Sequence, residues 1–148
     1  MITHSFRLRL TLLIGLLLTA CSSSDPQVRM EEAVSEMIDL AEDKNFQALE
    51  SYIHSDFKGA DNRDKNALLS WANQMTQRYS HLNSAWTIQQ VQYYPDVQRG
   101  TVVLKGGMTG HAGLLPKQFS RLLEVRIDLI FENDQWKVIG LEYSQASS

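Results

Sequence analysis

The stretch "LLEVRIDLIFENDQWKVIGLEYS", residues 122 to 144, constrains the fold most. Apolar and polar side chains alternate along it with a period of two, the signature of strands that bury one face. Asn133-Asp134 interrupts the alternation once and predicts a hairpin closed by a two-residue turn. In that register Phe131 faces Trp136, Leu129 faces Val138 and Ile127 faces Gly140, all on one apolar side. The other side pairs Ile130 with Lys137, Asp128 with Ile139, Arg126 with Leu141 and Glu124 with Tyr143. A slip of one residue would mix the two sides, so the pattern itself selects the register. A lone hairpin is marginal in water, so this apolar side needs further strands and a covering layer.

The covering layer is legible upstream. Asp25-Pro26 reads as a helix N-cap followed by proline at the first helical position. Met30, Val34, Met37 and Ala41 follow as one stripe, with Glu31, Glu32, Glu36 and Asp39 mostly off it. "EDKN" breaks this helix, and a second, short one starts near Asn45 with Phe46, Leu49, Tyr52 and Ile53 toward the core. "HSDFKGADN" reads as loop. Asp64 caps a third helix whose stripe is Leu68, Ala72, Met75 and Tyr79, widened by Leu69 and Trp71. From Trp86 onward strands are expected at about 86–94, 100–109, 119–132 and 135–143. Gly106, Gly107, Gly110 and Gly113, then Pro116, predict a bulged or looped passage. Helices first and strands second make an α+β domain: three N-terminal helices packed on a curved four-stranded antiparallel sheet.

The segment before this domain has another logic. "MITHSFRLRL" carries Arg7 and Arg9 and no acid, and "LTLLIGLLLTA" is apolar and uncharged. A positive start, a short apolar run and small residues at its end describe a secretory signal. The run is too short for the roughly 20 residues that span a bilayer. Cys21 is the only cysteine of the chain. A lone thiol in an exported chain is free, intermolecular or modified. Leu18-Thr19-Ala20-Cys21 resembles the lipobox of bacterial lipoproteins. That resemblance implies lipidation of the Cys21 thiol, cleavage before it and acylation of the new amine, palmitate being the expected acyl group. Ser22 stands where an Asp would signal inner-membrane retention, so the resemblance implies an outer-membrane anchor with the domain facing the periplasm. The expected layout is a signal over 1–20, a lipidated cysteine and short tether over 21–25, and one domain over 26–148.

Losing a signal with two arginines and no acid moves the net charge from −3 to −5. A modestly acidic domain without a basic patch is no nucleic-acid binder. With no second thiol, its stability must come from packing.

"AEDKNFQALESYIHSDF" and "IDLIFENDQWKVIGLEY" resemble the second-helix passage and the terminal hairpin of NTF2-like domains, the cone fold of ketosteroid isomerase and scytalone dehydratase. The resemblance covers about residues 26–144. "VVLKGGMTGHAGLLP" and the hairpin also resemble exported NTF2-like proteins of proteobacteria without an assigned activity. The resemblance implies a cone whose interior can hold acid and base groups. For the isomerase type it implies an Asp base after the second helix, approximated here by Asp56 or Asp61, and an acid approximated by Asp128. The tyrosine that would complete the oxyanion pair belongs on the first helix, and "VRMEEAVSEMIDLAE" has none.

The residues themselves offer little chemistry. His54 and Asp56 in "HSDF" are acid/base candidates, or simply a loop whose Asp56 bonds turn amides. His54, His81 and His111 are scattered, so no zinc motif forms and no metal or cofactor is expected. The glycine-rich passage lacks the "GK[ST]" of a phosphate loop, and a nucleophile elbow is absent. Trp71, Trp86 and Trp136 read as core anchors. The mixed hairpin side, with Arg126, Asp128, Ile139, Leu141 and Tyr143, has three readings. It is an ordinary wet face, an interface for a second copy or an envelope protein, or a cone lining in which Arg126 and Asp128 contact an apolar ligand. Two functions follow as expectations: a membrane-anchored envelope lipoprotein with a non-catalytic binding or assembly domain, or a cone-pocket isomerase, dehydratase or hydrolase acting on a small hydrophobic molecule.

Overall fold

The computed structural model describes residues 25–79, 81–112 and 117–146. The signal, Cys21, Gly113 and Pro116 lie outside these described residues. The chain runs α1 (Pro26–Glu42), α2 (Phe46–Ser51), β1 (Ile53–Gly59), a single-turn helix (Ala60–Asn62), α3 (Lys65–Arg78), β2 (His81–Tyr94), β3 (Arg99–Ala112), β4 (Lys117–Glu132) and β5 (Gln135–Gln145). Each of the three α-helices begins on the side chain that the sequence supplies. Asp25, Asn45 and Asp64 accept the backbone N–H groups of Gln27, Ala48 and Ala67 at 2.9, 3.2 and 2.8 Å. These bonds satisfy donors that the first turn of a helix leaves orphaned.

The sheet is a curled half-barrel of five strands in the order β1-β5-β4-β3-β2, one more than the four expected. The additional strand is β1, cut from "HSDFKGADN" and added parallel to β5 at the sheet edge. Ile53 and Phe57 point inward from it, but the inward position between them holds Ser55, so the alternation is broken and the segment imitates a loop. Ile53 therefore reaches the core from a strand and not from α2. The remaining neighbours are antiparallel and long. The passage through Gly106, Gly107 and Gly110 is not looped: β3 runs unbroken through it, paired with β2 on one side and β4 on the other.

The hairpin turn sits where the sequence places it. Asn133 and Asp134 have φ of 52° and 61°, the doubly left-handed geometry that suits the twist of a tight hairpin. Phe131–Trp136, Ile130–Lys137 and Leu129–Val138 pair as expected. The ladder then shifts. Asp128 faces Gly140, Ile127 faces Leu141, Arg126 faces Glu142, Val125 faces Tyr143 and Glu124 faces Ser144. Ile139 is the extra residue of a bulge, which a strict period of two cannot anticipate. Beyond it, Leu141 and Tyr143 change sides.

The core occupies the inner side at the α1 end. Met30, Val34 and Met37 of α1 pack with Val102, Leu129, Trp136 and Val138. Gly100 allows this approach, because a Cβ there would run into the Met30 thioether. Tyr93 meets Trp136 edge-on at 5.8 Å and Phe131 lies 5.2 Å from the same ring. No helix among the described residues is long and apolar enough to cross a membrane.

Candidate functional site

The two layers close on each other under α1 and part under α3, none of whose residues is fully buried. Between them lies a cavity of about 520 Å³. Leu68, Trp71 and Met75 of α3, with Tyr79 just beyond it, form one wall. Trp86, Leu123, Val125, Leu141 and Tyr143 from the sheet form the other, and Phe57 with Gly59 of β1 closes the side. This size and lining suit a small apolar molecule. Gly106 shapes the sheet wall: a Cβ there would strike the Ala85 carbonyl oxygen and sit 2.6 Å from the Trp86 indole, so only glycine lets Trp86 lie flat across the strand.

Arg63 is the one charged residue of the described lining. The left-handed pair Asp61 and Asn62 (φ 59° and 63°) delivers it from the end of β1. Gly59 N–H donates to the Arg63 carbonyl at 2.8 Å and closes that turn. The guanidinium then lies 5.8 Å from the Trp71 ring centroid. Trp71 is 42% exposed and Tyr143 48%, so both edge the cavity mouth. Of the three tryptophans expected in the core, Trp136 is there, at 3% exposure, while Trp86 and Trp71 line the cavity.

The residues singled out from the hairpin do not stay together. Arg126, Asp128 and Ile139 border a second, shallower groove of about 510 Å³ on the outer side of the sheet, with Asp56, Lys58 and Arg99. Asp128 there accepts the Thr101 hydroxyl at 2.8 Å and the Arg126 Nε–H at 3.2 Å on the same oxygen. Thr101 and Asp128 are ladder partners, so this contact belongs to the outer side. Arg126 and Asp128 are therefore not polar contacts inside the cone, and Asp128 does not serve as an interior acid. Leu141 and Tyr143 line the cavity, carried there by the bulge, and Leu141 also borders the outer groove.

His54 and Asp56 do not form an acid/base pair. His54 Nδ1 accepts the backbone N–H of Asp56 at 3.0 Å, which leaves its proton on Nε2, 3.5 Å from a Glu132 carboxylate oxygen. The Asp56 side chain borders the outer groove, while Phe57, next in sequence, enters the cavity. Asp61 is exposed and 4.0 Å from Arg63. Among the described residues no group of three or more His, Cys, Asp or Glu side chains is placed to hold a metal ion.

Sequence reading missed Arg63 and the cavity role of α3. The available signal was Trp71, a large aromatic beside the α3 stripe of Leu68, Ala72 and Met75.

A curled sheet with an apolar interior, covered by helices on one side, defines a cone-type domain. The chain has the NTF2-like fold. It superposes on a ketosteroid isomerase-like protein from Erwinia carotovora atroseptica with a TM-score of 0.69 and 12% identity, covering 84% of this chain and 99% of that one. A proposed dehydratase from the NTF2-like family of Streptomyces avermitilis gives 0.71 and 11%, covering 84% and 100%. A type 2 hexachlorocyclohexane dehydrochlorinase gives 0.67 and 10%, covering 82% and 88%. No protein-family model matches the sequence. No curated protein matches it either.

Proposed function

We propose that this chain is a lipid-anchored protein of the bacterial envelope, attached to the outer membrane and facing the periplasm, whose NTF2-like domain binds a small apolar molecule without transforming it. One observation carries the non-catalytic part. The described lining of the cone cavity holds one guanidinium and the phenols of Tyr79 and Tyr143, but neither an imidazole nor a carboxylate. Acid–base catalysis needs a group of suitable pKa within hydrogen-bond reach of the reacting atom. The groups of that kind read from the sequence, His54, Asp56, Asp61 and Asp128, are not in that lining, and Asp61, 4.0 Å from Arg63, is 79% exposed. The anchor rests on the Leu18-Thr19-Ala20-Cys21 motif and on the absence of any other thiol in the chain. The outer groove with Arg126, Asp128 and Ile139 is the surface for a second copy or an envelope partner.

The two parts separate experimentally. Labelling cells with an alkynyl fatty acid should mark the wild type and leave Cys21→Ser unlabelled in precursor form; persistent label on the serine variant defeats the anchor. The two cavity phenols favour a second reading, an isomerase, dehydratase or hydrolase acting on a small hydrophobic molecule. Turnover of such a compound that Tyr143→Phe abolishes would establish that reading in place of the first.

A further inference from the structure

We propose that the molecule held in the cone carries a single carboxylate, which pairs with Arg63 at the mouth while its apolar body lies against Trp86, Leu123 and Val125. This rests on the reading of the cavity as a binding site and adds the chemical class of the ligand. Arg63 supplies the only charge among the described lining residues. Its nearest described carboxylate is Asp61 at 4.0 Å, beyond hydrogen-bond distance, on a side chain that is 79% exposed. The guanidinium fork therefore keeps donors for an incoming anion. Its place over Trp71 holds the plane of the fork beside the mouth. A carboxylate matches this site in both geometry and charge. It takes two parallel hydrogen bonds from one guanidinium and brings one negative charge to meet one positive charge. A phosphate monoester would bring a second charge that no described lining residue neutralises, and a cation would be repelled. The other lining side chains are apolar apart from two phenols and the indole N–H groups of Trp71 and Trp86, so a ligand with many further polar groups would leave most of them without partners.

The test uses the full-length protein in detergent and two probes that share a skeleton, 2-naphthylacetate and 2-naphthaleneethanol, titrated calorimetrically. The wild type should bind the acid about 10- to 100-fold more tightly than the alcohol, the range expected of charge-assisted hydrogen bonds. Arg63→Gln should lose that preference and keep its affinity for the alcohol, and Arg63→Lys should keep part of it. Leu123→Trp, which fills the cavity, should abolish binding of both, and it supplies the blank for partition into detergent. Thermal unfolding checks each variant. Equal affinities for acid and alcohol in the wild type, with binding still lost in Leu123→Trp, overturn the carboxylate and leave the apolar cavity standing. That comparison needs no Arg63 variant to fold. No binding of either probe overturns the cavity reading itself.

Discussion

Leu141 stands directly across the β4–β5 ladder from Ile127, and this pairing decides what the cone encloses. Ile127 is buried on the inner side, so Leu141 is inner as well, and Tyr143 follows it opposite Val125. Were Ile139 paired in a regular ladder and not bulged out, Arg126 would face Leu141 and the cavity would lose two of its lining side chains.

The sensitivity of β5 to charge should therefore alternate with the shifted parity. Leu141→Lys puts an unpaired charge against the apolar wall and should lower the melting temperature by several degrees or more. Ser144→Lys, exposed and facing Glu124 on the outer side, should stay within about 0.5 kcal/mol of wild type. Thermal unfolding of the two variants decides the register. The reverse order of sensitivity would restore the unbulged ladder.

Which parts of this fold are legible in sequence follows from what a single period can encode. The α1 stripe of Met30, Val34 and Met37, the caps at Asp25, Asn45 and Asp64, and the Asn133-Asp134 turn are local rules, and each appears where its residues put it. The bulge at Ile139 and the parallel addition of β1 are set by closure of the sheet and by contacts distant in sequence, and neither leaves a periodic mark. The site suffered most. Its residues come from four strands, α3 and a left-handed turn, and a shift of one residue on β5 exchanged which hairpin side chains belong to it.

Trp136 should carry a large share of the stability. It is 3% exposed and packed between Tyr93 and Phe131. Trp136→Ala should cost about 3–5 kcal/mol, against the roughly 5–15 kcal/mol that a domain possesses. Its indole N–H is buried with no acceptor among the described residues, so Trp136→Phe removes an unsatisfied donor along with part of the ring. That variant should cost only about 1–2 kcal/mol. Urea denaturation measures both. A cost for phenylalanine as large as for alanine would mean that the N–H has a partner.

Alkaline pH should weaken the domain through Tyr52. Burial, then the hydrogen bond to Glu36 and the charge of that carboxylate, raise its pKa above 10.0, with Gln135 acting in the opposite direction. The unfolded chain loses the phenolic proton near its ordinary value while the folded chain keeps it. The folded state then binds more protons, so stability is full below about pH 10 and falls as pH rises through the folded pKa. Tyr52→Phe should be less steep than wild type over that interval in urea denaturation at pH 8 to 11. Parallel slopes would show that Tyr52 ionises alike in both states.

The outer sheet side separates a wet surface from an interface, and Ile139 is the residue that tells them apart. It is half-buried, as the extra residue of the bulge, and borders the groove that holds Arg126 and Asp128. In an interface, Arg126 and Asp128 would orient the partner more than bind it, and the affinity would come from the apolar surface around Ile139. Ile139→Lys places a charge at that position while the inner side, which carries the core, is untouched. Association of the wild type measured by sedimentation should therefore be lost in the variant with its melting temperature nearly unchanged. An Ile139→Lys variant that unfolds, with a monomeric wild type, would assign Ile139 to the packing that holds the bulge. The outer groove would then be solvent-facing, and binding would belong to the cone cavity alone.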